Sequence, residues 1–155
     1  MEDNGMEEFI ETGILRAVRE FLFLRVNEIL RESQYAIPVI EFGDYCGSGS
    51  VAPVISLTSC ERTEKERIIR LDAYSLSITI TFPETPESEL YCYAYSGAIS
   101  RAIYNNPTLG GVVDRAVITG KKYISPKKTH CGESWELLIT LRVTVENPPP
   151  CEFST

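Results

Sequence analysis

The chain has 155 residues, 43% of them hydrophobic and 24% charged, which fits one domain and leaves little room for two. At this size roughly 70% of the surface exposed by the unfolded chain can be buried, so neither a metal nor disulfides are required for a core. A formal net charge of −7 argues against a protein that wraps nucleic acid, since phosphate contacts need clustered Lys and Arg. It does not argue against a conduit that DNA slides past, because such a conduit should not grip its cargo.

No run of eighteen apolar residues occurs, so no membrane-spanning helix is expected. The acidic start Met1-Glu2-Asp3-Asn4-Gly5 lacks the basic opening of a signal peptide, and the protein is expected to be made and kept in a cytoplasm. Five cysteines, Cys46, Cys60, Cys92, Cys131 and Cys151, are odd in number and form no CxxC pair. In a reducing compartment they read as free thiols.

Residues 6–32 are expected to form a long amphipathic helix. Ile10, Ile14, Val18, Phe21, Leu22, Ile29 and Leu30 recur at helical spacing. Glu7, Glu8 and Glu11 near its start and Arg31 near its end suit the helix dipole. Phe23, Leu24 and Val26 widen the apolar face, either as further core or as contacts for a neighbouring subunit.

The apolar run Ala36 to Phe42 contains Pro38, so a strand here lies at a sheet edge or begins after the proline. Gly43 to Ser50 is glycine- and serine-rich and reads as a mobile loop. Pro53 to Ser59 is a strand, and Glu61 to Arg67 a charged, solvated turn. Tyr74, Leu76, Ile78, Ile80 and Phe82 then alternate with small polar residues, the pattern of a half-buried strand. The two strands around the charged turn should pair as an antiparallel hairpin.

Thr85-Pro86 predicts a helix start, threonine as N-cap and proline in the first turn, with Glu87 and Glu89 favourable there. Leu90, Ala94, Gly97, Ala98, Ile99, Ala102 and Ile103 supply its packing face. Asn105-Asn106-Pro107 ends it, because proline disfavours a helical residue before it. Val112 to Thr119 reads as a strand and Gly120 to Gly132 as a basic loop carrying Lys121, Lys122, Lys127 and Lys128. Trp135, Leu137, Ile139, Leu141, Val143 and Val145 mark the last strand, stopped by Asn147-Pro148-Pro149-Pro150. The expected fold is α+β, a mostly antiparallel sheet of about five strands with two helices packed on one face. It forms one domain, 1–155, with a loose tail over 147–155.

Residues that could carry chemistry are scattered. His130, the only histidine, is adjacent to Cys131, and adjacent side chains point apart rather than forming a nucleophile pair. Zinc needs about four Cys or His ligands at loop spacing, which the single cysteines do not offer. No GxGxxG, P-loop or HExxH occurs. The chain is therefore read as a non-enzyme with no cofactor and no metal. Tyr91 and Tyr95 share a helix face by their spacing, which fits either packing at the sheet edge or a protein interface, where tyrosine is enriched.

The segment Asn105-Asn106-Pro107-Thr108-Leu109-Gly110-Gly111-Val112-Val113 resembles the helix-to-strand turn of bacteriophage tail terminator (tail completion, minor tail) proteins. The element order, an N-terminal helix, a strand, a long hairpin, a helix and a closing hairpin, is also similar to that family. The loop 43–50, the lysine-rich loop and the tail from Pro148 depart from it. The resemblance implies a structural protein of a phage or prophage, located in the virion tail after assembly in the host cytoplasm. It implies a homo-hexameric ring that caps the tail tube protein, stops its polymerisation and offers a surface to head-completion proteins, while DNA passes through without specific binding. Closed head-to-tail symmetry suits such a cap. Candidate interface residues are Arg62, Lys65 and Arg67 at the charged turn, by charge and exposure, and Thr108, Leu109, Gly110 and Gly111 at the shared turn. Two other readings compete: another phage head–tail joining or tube subunit, and a small cytosolic protein-binding module.

Overall fold

The computed structural model describes residues 9–42, 50–64, 70–83, 86–126 and 134–147. The helical path begins as α1 (Ile10–Phe21), continues through a π turn (Leu22–Val26) and ends as α2 (Asn27–Arg31). It runs unbroken, because the residues at both junctions keep right-handed helical angles. Ile14, Val18, Phe21, Leu22, Val26 and Leu30 face the core, whereas Phe23 and Leu24 are 42% and 61% exposed. A π turn carries one more residue than an α turn, and here the surplus is accommodated on the solvent side. Of the three residues expected to widen the apolar face, only Val26 is core.

Strand β1 (Val39–Ile40) begins directly after Pro38, the second of the two expected arrangements, and pairs in parallel with β2 (Ser50–Val51). Buried Asn27 ties this piece to the helix. Its amide donates to the Ile40 carbonyl at 2.9 Å and accepts from the Ile40 N–H at 2.7 Å. The side chain thus stands in for a neighbouring strand, satisfying two backbone groups that burial would otherwise leave unpaired.

Four longer strands form the main sheet: β3 (Val54–Glu64), β4 (Arg70–Pro83), β5 (Arg115–Ile124) and β6 (Ser134–Asn147). Their order is β3-β4-β6-β5, every neighbouring pair antiparallel. Helix α3 (Ser88–Asn105) connects β4 to β5, two strands that run parallel to each other with β6 between them. The fold is α+β with the helices on one sheet face. Leu76, Ile78, Ile80, Leu137, Ile139 and Leu141 are at most 1% exposed on that face, each contributing about 1.5–3 kcal/mol by burial. The alternation read from the sequence in β4 and β6 is the alternation observed.

Three boundaries and one helix face differ from expectation. The charged segment begins as strand and not as turn, because β3 continues through Glu61 and Arg62 to Glu64; Lys65 and Arg67 lie outside the described residues. Helix α3 starts at Ser88, not at Thr85-Pro86: the Glu87 carbonyl accepts the first bond, from the Tyr91 N–H at 2.9 Å. On α3, Leu90 and Gly97 are exposed, and Cys92, Tyr95 and Ser96 take their place in the buried set. Finally, β5 spans Arg115–Ile124 rather than 112–119, so Lys121 and Lys122 belong to a strand and not to a loop.

A bulge explains that last difference. Ile118 faces Leu141 and Gly120 faces Thr140, which leaves Thr119 as the extra residue. One extra residue reverses the inward–outward phase. Ala116 and Ile118 share the core face before it; Lys121 and Tyr123 share that face after it, opposite Ile139 and Leu137. A pattern search for period two breaks at this point.

Candidate assembly surfaces

The turn joining α3 to β5 is the most constrained piece of backbone described. Leu109, Gly110 and Gly111 have φ of 51°, 76° and 92°, a left-handed run that only glycine adopts without strain. Leu109 tolerates it because its side chain is an anchor, 5% exposed in the core beside Val113. The Thr108 carbonyl accepts from the N–H groups of Gly111, Val112 and Val113 at 3.0, 3.0 and 3.1 Å. The Thr108 hydroxyl also accepts from Gly111, at 3.1 Å. Pro107 adds a 2.7 Å bond from the Ala116 N–H to its carbonyl, fixing where β5 starts. Of the candidate residues here, Thr108, Gly110 and Gly111 are exposed, and Leu109 holds the turn in place.

The sheet face away from the helices is paved with hydroxyls. Ser75, Ser77, Thr79 and Thr81 of β4 run beside Thr140 and Thr144 of β6. Ser56 and Ser77 share a hydrogen bond at 3.2 Å. Charge on this face is mixed and partly self-neutralised: Arg142 reaches across β4 to Glu61 at 3.3 Å, above the register position of Ala73.

The two outer strands are finished differently. On β3, Arg62 binds Asp72 of β4 through Nε at 2.8 Å and through a second nitrogen at 3.4 Å. Asp72 is 1% exposed at its side chain. Arg62 was a candidate by charge and exposure; its head group compensates a buried carboxylate. Beside this pair, burial pushes the Tyr74 phenol up to about 12 and raises the Cys60 thiol, with the Asp72 carboxylate adding to the latter. A thiol held protonated is a poor nucleophile.

On β5 a groove of about 800 Å³ opens between the strand and the C-terminal half of α3. Ile103, Ala116 and Ile118 contribute apolar surface, and Arg101, Arg115 and Tyr104 stand around it. Tyr104 is 86% exposed. Gly97, expected to pack closely on the sheet, instead lies exposed on the groove's wall, and a Cβ there would meet nothing within 4 Å.

The tyrosines divide. Tyr95 is fully buried, stacks on Phe82 with centroids 5.2 Å apart and donates to the Pro38 carbonyl; burial raises its phenol. Tyr91 is half-buried against the core, so this pair packs. Tyr93 and Tyr123 meet edge to face at 5.4 Å and remain about half exposed. The exposed tyrosines on this side are therefore not the ones that spacing selected. Among the described residues no group of acidic, Cys or His side chains is placed to hold a metal, and no helix is long and apolar enough to cross a membrane. Cys60 is an exposed free thiol and Cys92 a buried one, pushed up to about 11 by burial. His130, Cys46, Cys131 and Cys151 lie outside the described residues.

No protein-family model matches the chain, and no curated protein matches it.

Proposed function

We propose that this chain is a structural, non-enzymatic assembly protein: a tail-terminator-like subunit that forms a ring on a tail tube, stops its growth and offers a docking surface to head-completion proteins. The observation that carries the reading is the turn Thr108–Gly111. It is the segment that resembles the family, and its left-handed backbone launches β5, an outer strand whose flank is not covered by another strand among the described residues. The hydroxyl-paved sheet face supports it as well, since a neutral polar wall suits a channel for DNA better than a cationic one. Ring closure needs two different patches per subunit, and the unlike finishing of β3 and β5 supplies a pair.

Native mass spectrometry over a concentration series, with and without magnesium, tests this. A discrete six-subunit species that does not lengthen is expected. Open polymers would point to a tube subunit instead. A strict monomer that also fails to bind preformed tail tubes would favour a small protein-binding module.

A further inference from the structure

We propose that the flank built by α3 and β5 docks a second copy of this chain through the start of its α1, with Phe9 and Ile10 on the groove's apolar floor and Glu11 beside Arg101 and Arg115. The inference rests on the ring reading and names the two surfaces that such a ring joins.

The α3–β5 flank is a cationic patch on an acidic protein. Residues 88–124 carry four basic and two acidic side chains, +2, on a chain of −7, so the remainder carries −9. The two acids are engaged: Glu89 accepts from the Tyr93 hydroxyl at 2.8 Å, and Asp114 accepts from the Glu146 N–H. Arg101, Arg115 and Lys121 are exposed and make no ion pair among the described residues. Exposed Tyr93, Tyr104 and Tyr123 stand among them. Arginine and tyrosine together are the side chains enriched where proteins meet.

Charge also selects the geometry of the contact. A two-fold dimer through this flank would set Arg101 and Arg115 against their own copies, and like charges facing each other oppose it. The flank must instead meet a different surface of the next copy, which is a head-to-tail contact. The start of α1 has the complementary chemistry. Phe9 and Ile10 are 71% and 44% exposed, apolar side chains without cover at the outer end of the helix. Glu11 beside them is exposed, and residues 1–15 hold five acidic and no basic side chains. That outweighs the half unit of positive charge that a helix N-terminus carries.

The two surfaces lie on opposite flanks of one subunit. Glu11 is close enough to Cys60 of β3 to help hold its thiol protonated, which places the start of α1 over the β3 side. Strand order β3-β4-β6-β5 puts three strand spacings, about 14 Å, between β3 and β5. With α1 packed on β3, its start cannot enter the groove of its own subunit, so each copy offers one surface to each neighbour.

Photocross-linking in the full chain tests the contact. A chain with p-benzoylphenylalanine replacing Phe9 is mixed with an isotopically heavy chain, irradiated and mapped by peptide mass spectrometry. Cross-links from position 9 to residues 100–118 of the heavy chain are expected. Arg101→Glu with Arg115→Glu in the heavy chain should cut their yield several-fold, and Glu11→Arg in the light chain should restore it, which a merely misfolded variant would not allow. Cross-links confined to the same chain, directed to another surface of the heavy chain, absent up to millimolar concentration, or indifferent to the charge reversal overturn the proposal. Native mass spectrometry of the same mixtures separates this result from the ring reading. A six-subunit species cross-linked elsewhere refutes this contact and leaves the ring, whereas open polymers joined between position 9 and residues 100–118 uphold the contact and refute the ring.

Discussion

The outer strands β3 and β5 start from the same device and end in opposite states. Each carries one bulge whose extra residue is a threonine, Thr58 and Thr119. Each threonine hydroxyl turns inward to a carbonyl of the next strand, Ser75 at 3.1 Å and Thr140 at 3.3 Å. Bulges bend an edge and discourage indiscriminate strand pairing, so both flanks are protected against aggregation. Beyond the bulge they diverge. The β3 side is closed by α1 and by the arginine that neutralises Asp72; the β5 side keeps its arginines outward, over a groove. Charge on the first flank compensates a buried carboxylate, and charge on the second makes no ion pair among the described residues.

Four substitutions or conditions sharpen or break that contrast. The largest effect is expected on the closed side, from Asn27→Ala. It strands the N–H and carbonyl of buried Ile40, and at ~1–3 kcal/mol for each orphaned group the loss should be about 4 kcal/mol in urea unfolding. A loss under about 1 kcal/mol would mean that water replaces the amide there. Next comes Arg62→Met, which removes the two-nitrogen contact to the buried Asp72 carboxylate. A clear drop in the thermal midpoint is expected, only partly recovered by Arg62→Lys because an ammonium cannot reproduce the two-nitrogen contact. An unchanged midpoint would show that Arg62 is a surface charge after all.

Alkaline pH acts more weakly on the same side and on α3. The folded pKa values of Cys92 (about 11) and Tyr74 (about 12) lie above their ordinary values of 9.0 and 10.0. A raised folded pKa means that the fold favours the protonated form, so these groups' contribution is intact at neutral pH and is lost as pH rises through these ranges. Stability should stay level with respect to these two groups up to about pH 9 and decline above it, and Cys92→Ala should remove the first part of the decline. The smallest effect on stability is expected from Arg101→Glu or Arg115→Glu, within about 0.5 kcal/mol, as for exposed substitutions away from buried features. A large destabilisation by either would erase the distinction between the two flanks.

The core of β4 and β6 was readable because period-two alternation continues without interruption for the length of both strands. The same rule failed on β5 for a local reason: Thr119 shifts the phase, and Lys121 and Tyr123, polar by type, end up on the helix-facing side. On α3 the spacing identified a helix but chose Leu90 and Gly97 for its inner face, whereas Cys92, Tyr95 and Ser96 are the residues buried. Small and aromatic residues are mixed around this helix, so composition left its rotation undetermined. Nothing in the charge pattern separated Arg62 from the other cations of its segment, because its partner Asp72 stands across a strand pair.

The sequence by itself determined the main element types and their order, the amphipathic strands and the stop at Asn105-Asn106-Pro107. These are local matters of side-chain period and allowed dihedral angles, and a few consecutive residues settle them. Only the tertiary structure decided that β6 inserts between β4 and β5, that Asn27 takes the place of a strand beside Ile40, that Arg62 is tied down while Arg101 and Arg115 are not, and that a groove lies along β5. Those outcomes depend on contacts between residues far apart in the chain, where burial and pairing, rather than residue type, assign each charge its role.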